Sequence, residues 1–237
     1  MAGGGHVKGR FVDEKETDRI NLALAELATS EAMTEKYGVD KSPLLFAIGD
    51  GNHSLASAKA LYEEIKSQIG EAAAKVHPAR YALCEIVNLH DEALEFEPIY
   101  RVVYGVDPEV FVEDMKNYAS NAAPSDIPAQ KIEYMYGDKT GEMTFENPDS
   151  QLTVGTVQNF LDGYMKTHKG VVIDYIHGLE AVRTLSASEG RVGITFGGMQ
   201  KNELFKTVIC DGALPRKTFS MGHAEDKRYY LECRKIR

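Results

Sequence analysis

The chain has 237 residues, of which 43% are hydrophobic and 27% are charged, and its formal net charge is -9. This composition is typical of one large or two small globular domains with a hydrophobic core. The negative charge argues against sequence-independent binding of DNA or RNA, because no basic stripe is present to release counterions from phosphates. The longest apolar runs are far too short to cross a membrane. We therefore expect neither nucleic acid nor a membrane as a partner.

The three cysteines, Cys84, Cys210 and Cys233, do not have the spacing of metal ligands. An odd number of cysteines without a signal peptide fits a reducing compartment, so we expect a cytoplasmic protein. For such cysteines, packing as small buried side chains is more frequent than redox chemistry.

The first part of the chain is predicted to contain two helices and two buried strands. The helices are predicted over residues 14–37 and 55–69, and the strands over residues 44–48 and 80–89. Gly38 and Gly70 are expected to end the two helices, because glycine readily adopts the conformation that follows a helix. Pro98 is expected to break the chain after the second strand.

The second part alternates helices with strands. A helix is expected from Asp107-Pro108, an aspartate cap followed by proline in the first turn. Alternation over residues 132–145 predicts a hairpin joined by residues 137–141. Further helices are predicted over residues 153–168 and 179–184, and further strands from residue 171 and over residues 192–196, 206–210 and 229–234. Together these elements predict an α+β fold with mixed or mainly antiparallel sheets, divided into residues 1–104 and 105–237 within one compact unit.

The most informative motif is Asp50-Gly51-Asn52-His53-Ser54, between a predicted strand and a predicted helix. A glycine turn before a helix points backbone N–H groups outward with the positive end of the helix dipole, which favours phosphate or carboxylate. Asp50 and His53 are candidates to transfer a proton or to hold a metal. Ordinary capping and turn formation explain the same pattern equally well.

Residues 46–54 resemble the Ala-Asp-Gly-His-His-Arg signature of the domain of unknown function 1015 family. Residues 80–91, 97–101 and 214–222 resemble later blocks of that family. Family members are commonly longer, so the resemblance implies that an N-terminal portion of the full-length protein is missing here.

The signature turn is also similar to the phosphate-binding turn of the ParB and sulfiredoxin superfamily, which includes nucleotide-binding partition proteins and a kinase acting on free serine. This second resemblance implies a ParB-like fold in the first part of the chain. It also implies a phosphate-bearing ligand, such as a nucleotide with Mg²⁺.

The chain departs from the signature at two positions, with Asn52 in place of the first histidine and Ser54 in place of the arginine. The missing guanidinium removes a fork that can grip phosphate with two hydrogen bonds. Lys59, Arg80 and Arg101 are candidates to replace it.

A second polar cluster lies at residues 174–178. Asp174 and His177 repeat the spacing of Asp50 and His53, which would allow both pairs to face one cleft, since ligands gather at strand ends. A partly exposed histidine that caps a turn is the alternative for His177.

Arg216 and Lys217 form a third candidate site, near Ser220. Two adjacent cations are expected to bind an anionic substrate. A solvated basic loop is the alternative.

Two hypotheses of function follow from the motif. In the first, the protein is an enzyme acting on a small anionic metabolite, such as a phosphotransferase with an amino-acid or hydroxy-acid substrate. Gly51, Asn52 and Ser54 would cradle phosphate, Asp50 would orient a cation, and His53 would act as acid, base or phosphate ligand. In the second, the protein is a non-catalytic nucleotide or metabolite sensor that uses the same turn only to bind. A purely structural turn is the third alternative.

Overall fold

The computed structural model describes residues 6, 8–38, 40–49 and 51–222. Within these residues it contains eight α-helices and a six-stranded antiparallel sheet, which confirms the predicted α+β class. The helices are α1 Glu14–Leu27, α2 Ser30–Tyr37, α3 Asn52–Ile69, α4 Glu71–Ala74, α5 Pro108–Ser120, α6 Thr153–Thr167, α7 Leu179–Ser186 and α8 Lys201–Asp211. The strands are β1 Phe96–Tyr104, β2 Gln130–Tyr136, β3 Lys139–Phe145, β4 Val172–His177, β5 Arg191–Phe196 and β6 Phe219–Met221.

The sheet has the strand order β3-β2-β5-β1-β4, and β6 pairs with the beginning of β1. The predicted hairpin is confirmed as β2 and β3, in which Tyr136 pairs with Lys139. Its turn contains two residues, Gly137 and Asp138, and is therefore shorter than the predicted connection.

Helices cover both faces of the sheet. One face packs against α5, α6 and α8, around buried residues such as Phe111, Val157 and Ile194. The opposite face packs against α7 through Val102, Met135 and Val182. This division follows from the alternation of side chains along each strand, which sends successive residues to opposite faces.

The clearest helix predictions are confirmed. Asp107 caps α5 by accepting hydrogen bonds from the N–H groups of Glu109 and Val110 at 3.0 and 3.2 Å, and Pro108 is its first residue. The predicted face of α6 is buried, and α7 extends slightly beyond its predicted end. The helix following the signature turn is also confirmed as α3, with Gly70 at its C-terminal end.

Two predicted buried strands are wrong. Residues 44–48 and 80–89 form no strand. The second segment overlaps only the end of the short 3₁₀ helix Pro78–Arg80. Their apolar side chains are not buried in the core: Phe46 is 51% exposed and Ile86 is 67% exposed. A strand requires a hydrogen-bonding neighbour, and the described sheet pairs only residues between Phe96 and Met221.

Two further predictions are wrong because a helix begins within the predicted segment or shortly before it. Residues 206–210 belong to α8 and not to a strand, since Gln200 and Glu203 form a capping box that begins a helix. Residues 14–37 form two helices, because the Thr29 side chain accepts a hydrogen bond from the Ala32 N–H and begins α2.

Pro98 does not break the chain but lies within β1, opposite Phe219 of β6. The pairing of β1 with β4 begins only at Ile99, and that with β5 at Arg101. Pro98 is therefore paired on one side only, where its missing N–H is tolerated.

The strand predicted from residue 171 is confirmed as β4, but it is an edge strand and Val172 is 59% exposed. The strand predicted over residues 229–234 lies outside the described residues. Cys233 also lies outside the described residues. Cys84 and Cys210 are unpaired and exposed, which contradicts the expectation that these cysteines are buried.

The division into residues 1–104 and 105–237 remains a prediction. Strand β1 lies before this boundary and pairs with β4, β5 and β6, which all lie after it. Among the helices of the described residues, none is long and apolar enough to cross a membrane.

Candidate functional site

The signature turn leads directly into α3. Gly51 precedes the helix with a φ of 88°, a left-handed conformation that strains residues carrying a Cβ. No side chain among the described residues caps this helix, and its first turn contains no acidic residue. Asp50, the first predicted catalytic residue, lies outside the described residues. The turn therefore presents the N-terminal end of an 18-residue helix.

The signature segment borders a cavity of about 630 Å³, which we call the signature cavity. Residues 44, 46–49 and 52 line one side, and residues 213–221 line the other. Ile99 of β1 and Leu204 and Val208 of α8 complete the wall. Gly49 lies close to Met221: a Cβ added at Gly49 would be 3.4 Å from the Met221 sulfur. The cavity thus joins two segments of the chain that are far apart in sequence.

Two cations line the signature cavity, Arg216 and Lys217. They belong to the segment Pro215 to Thr218, which we call the basic loop. Lys217 has a φ of 57°, and it is the one non-glycine residue with positive φ among the described residues. The Thr218 hydroxyl donates a 2.6 Å hydrogen bond to the Pro215 carbonyl and closes the loop. The loop therefore has a defined conformation.

Arg101 holds the basic loop from below. Its side chain is fully buried in the sheet face that packs against α6. The guanidinium donates hydrogen bonds to the carbonyls of Lys217 at 3.1 Å and Arg216 at 3.3 Å, and to Ile99 at 2.6 Å and the Gln158 side chain at 3.1 Å. These contacts position the basic loop, and the predicted role of Arg101 as a ligand remains a prediction.

Burial lowers the pKa of Arg101 from its ordinary value to about 10, because removing the guanidinium from water disfavours its charged form. The Tyr175 phenol and the Asp162 carboxylate partly oppose this decrease, whereas Arg216 adds to it. At neutral pH, Arg101 is still a cation, and it contributes positive potential beneath the loop.

Tyr175 lies close to the guanidinium groups of both Arg101 and Arg216. Its ring centre is 4.6 Å from the Arg101 guanidinium carbon and 5.6 Å from that of Arg216. Its buried hydroxyl has no hydrogen-bond partner among the described residues. Arg216 also lies 3.6 Å from the Asp162 carboxylate, in a pair whose side chains are 63% and 48% exposed. Sequence reasoning missed the roles of Tyr175 and Asp162, since neither is close to the basic loop in sequence.

The structure separates some of the predicted ligands from the signature cavity. Asn52 lines it, whereas His53, Ser54 and Lys59 are exposed on α3 and are not part of its wall. Arg80 donates to the Lys75 carbonyl at 2.9 Å, within the same segment of the chain. The roles assigned to His53, Ser54 and Lys59 remain predictions.

His177 lies at the end of β4, where it pairs with Ile99 across the sheet. Its Nε2 atom is 3.5 Å from the Glu97 carboxylate. Asp174 cannot act together with it, because residues three apart on a strand point to opposite faces. The predicted Asp174 and His177 pair is therefore wrong. A spacing of three brings side chains together on a helix but separates them on a strand.

The described residues contain no group of three or more histidine, cysteine or acidic side chains placed to hold a metal ion.

The family model described as "Protein of unknown function (DUF1015)" matches residues 3–164. The chain belongs to this family. The match includes the signature turn and Arg101 but ends before the basic loop. No curated protein and no solved structure matches the chain, so its similarity to ParB and sulfiredoxin remains a prediction.

Proposed function

We propose that this DUF1015 protein binds a small phosphate-bearing metabolite in the signature cavity. The observation that carries the proposal is the position of Arg216 and Lys217, which line the same cavity as the signature turn. Phosphate is bound in proteins by cations and by backbone N–H groups at helix ends. The cavity brings together both kinds of group.

The local charge supports an anionic ligand. The chain as a whole has a net charge of -9, so two adjacent cations at a cavity stand out against the overall potential. Arg101 adds a third positive charge beneath the basic loop. The Asp162 carboxylate opposes them, but its pair with Arg216 is largely exposed and therefore weak enough for Arg216 to reorient toward a ligand.

The remaining walls support a ligand that is partly organic. Apolar side chains line much of the cavity, among them Leu44, Phe46, Ile99 and Val208. A volume of about 630 Å³ is within the range of metabolite and nucleotide sites. A nucleotide with Mg²⁺ fits this combination, with the phosphates at the basic loop and the base against the apolar wall.

Binding without catalysis and phosphoryl transfer are the two candidate functions. Ser54, which replaces the arginine of the signature, favours a sensor. The pair of His177 and Glu97 favours an enzyme, because a carboxylate beside an imidazole can orient it for proton transfer. Each residue of this pair faces a residue of the cavity wall across the sheet, Ile99 and Ser220 respectively.

Calorimetry with ATP, ADP, CTP and inorganic phosphate, in the presence of Mg²⁺, tests the proposal. Arg216→Gln and Lys217→Asn each remove one positive charge, and asparagine tolerates the left-handed conformation of Lys217. We expect each change to weaken binding by about tenfold, the effect of losing one charge-assisted hydrogen bond. Lys166→Gln is the matched control, because it removes an exposed charge outside the cavity wall.

Two results would contradict the proposal: absence of binding to all four compounds, or equal affinities for the variants and the wild type. Turnover of nucleotide with serine-like acceptors separates the two functions. Turnover that is lost in His177→Gln or His53→Ala identifies an enzyme, whereas binding without turnover identifies a sensor.

We also propose that the protein is cytoplasmic. The exposed, unpaired thiols of Cys84 and Cys210 support a reducing compartment, in which such thiols persist. Fractionation of cells followed by immunodetection tests this location, and recovery outside the cytoplasm would contradict it.

A further inference from the structure

We propose that a second cavity, separate from the signature cavity, binds the oxyanion of a small phosphate-bearing or carboxylate-bearing molecule. This cavity has a volume of about 480 Å³ and lies between the beginning of β2, the N-terminal end of α6 and the turn from β5 to α8. We call it the α6 cavity. It has one residue, Thr218, in common with the signature cavity.

Thr207 carries the first part of the argument. It lines the α6 cavity, it is only 2% exposed, and its hydroxyl makes no hydrogen bond to any other part of the described chain. Unlike the Tyr175 hydroxyl, it is not completely buried, so the small surface that it keeps faces the cavity. A hydroxyl with so little exposed surface and no protein partner hydrogen-bonds poorly to water. An anion in the cavity would provide the acceptor that this hydroxyl lacks.

The N-terminal end of α6 supplies further donors. Thr153 and Val154 line the cavity, and within the described residues their N–H groups have no acceptor. Leu152 precedes the helix and provides no side-chain cap, and no acidic residue lies in the first turn. Helix α6 is 15 residues long, so its dipole places a positive potential at this end. Val154 is 4% exposed, which limits the access of bulk water to its N–H.

Two lysines add positive charge to the same wall. Lys131 of β2 and Lys206 of α8 both line the cavity, and neither forms an ion pair within the part of the chain that the structure describes. One carboxylate, Glu203, also lines it, but this side chain accepts a 2.6 Å hydrogen bond from the Gln200 N–H. The capping bond partly neutralises its effect. The net local charge is therefore positive in a chain whose total charge is negative.

The shape of the wall defines the class of ligand. Apolar side chains, including Phe196 and Met199, line the cavity beside its polar donors. A bare inorganic ion would leave this apolar surface without a partner. We therefore infer a small organic anion whose phosphate or carboxylate faces Thr207 and α6.

The test uses the isosteric substitution Thr207→Val in the 237-residue chain, because it removes the hydroxyl and keeps the shape of the side chain. NMR titrations with inorganic phosphate and with acetate, at constant ionic strength, report the affinity through the amide signals of Thr153 and Val154. We expect Thr207→Val to weaken the binding of the favoured anion by about tenfold and Lys206→Gln by about fivefold. The favoured probe, phosphate or acetate, identifies the anionic group of the ligand.

Thr184→Val is the matched control, because it also removes a hydroxyl from a helix, but one that is bonded to the Glu180 carbonyl outside the cavity. It should leave the affinity unchanged. Stability provides an independent measurement: Thr207→Val should leave the urea midpoint unchanged or raise it, since the lost hydroxyl has no partner. A lowered midpoint together with unchanged affinity would show that the hydroxyl is structural, and would overturn the proposal.

The two cavities are distinguished by their own variants. Lys217→Asn should not change the shifts of Thr153 and Val154, whatever its effect on binding at the signature cavity. Failure of the calorimetric test at the signature cavity therefore leaves the α6 cavity standing, and the reverse is also true. If neither anion shifts these two amide signals, the α6 cavity does not bind an oxyanion.

Discussion

Replacement of Arg101 by methionine should destabilise the protein strongly, because the guanidinium connects the core to the basic loop. Methionine has a similar length and no charge, so the change removes the hydrogen bonds while largely filling the space. The four strongest of these bonds join Arg101 to the carbonyls of Ile99, Arg216 and Lys217 and to the Gln158 side chain, at 2.6 to 3.3 Å.

The expected magnitude is the difference between two large effects. Each hydrogen bond from a charged donor contributes at least about 1.5 kcal/mol, so losing four costs about 6 kcal/mol. Burial of the cation opposes folding, and the decrease of the Arg101 pKa to about 10 corresponds to about 3 kcal/mol. Methionine relieves this cost. We therefore expect the free energy of unfolding to decrease by about 3 kcal/mol.

Urea unfolding at pH 7, followed by circular dichroism, measures this difference. Arg183→Met is the matched control, because Arg183 forms an exposed ion pair with Glu180 at 3.2 Å and should contribute less than about 0.5 kcal/mol. Arg101→Lys should be almost as destabilising as methionine, since lysine retains the buried charge but loses the planar fork. If Arg101→Met costs less than about 1 kcal/mol, the guanidinium is not an anchor and the reasoning is refuted.

Two further predictions concern single positions, both measurable by urea unfolding. Gly51→Ala should lower the free energy of unfolding by about 1 to 2 kcal/mol, because Gly51 has a φ of 88°. Gly163→Ala, at an exposed position in the interior of α6, should raise it by about 0.5 to 1 kcal/mol. Effects of the same sign would contradict this assignment of backbone strain. Asp107→Ala should lower the free energy of unfolding by about 1 kcal/mol because it removes the cap of α5, whereas Asp107→Asn should retain most of the stability. Equal losses in both variants would indicate a role for the charge of Asp107 rather than for capping.

The helices that could be predicted from the sequence are those with local signals at both ends. Asp107 and Pro108 specify the beginning of α5 without reference to any other part of the chain. The same holds for the hairpin of β2 and β3, whose turn and alternation are contained in 16 residues. Thr29 is a residue type that commonly begins a helix, so the division of residues 14–37 into two helices also had a local signal. Gln200 is not a typical N-cap residue, and the beginning of α8 therefore had no such signal.

The two failed strands had no such local signal. An apolar run such as residues 44–48 has the same composition whether it pairs within a sheet or lines a cavity. Its outcome depends on which partner strands are available, and these are distant in the sequence. Here Phe46 and Ile48 line the signature cavity instead of pairing with β1. The apolar character that predicted a buried strand thus contributes to the candidate site.

The site itself could be predicted only in part. The signature turn and the basic loop were both identified as candidates, but nothing local in either segment indicated that they share one cavity. The role of Arg101 did have a signal, because it alternates with Ile99 and Val103 on the core face of β1. A charged residue in the middle of such a pattern is either buried with several partners or placed at a site. That pattern could not identify Arg216 and Lys217, whose carbonyls accept hydrogen bonds from Arg101 and which lie more than 100 positions later.

This arrangement connects the stability of the core to the shape of the signature cavity. The carbonyls of Arg216 and Lys217 accept from Arg101, so these bonds fix the backbone from which the two cationic side chains project. The left-handed conformation of Lys217 is unfavourable for a lysine, and it is compensated by these bonds and by the Thr218 closure. Loss of Arg101 should therefore weaken ligand binding as well as folding, even though Arg101 does not line the cavity. Measured at a temperature at which Arg101→Met remains folded, an affinity for the ligand equal to that of the wild type would separate the two roles and contradict this connection.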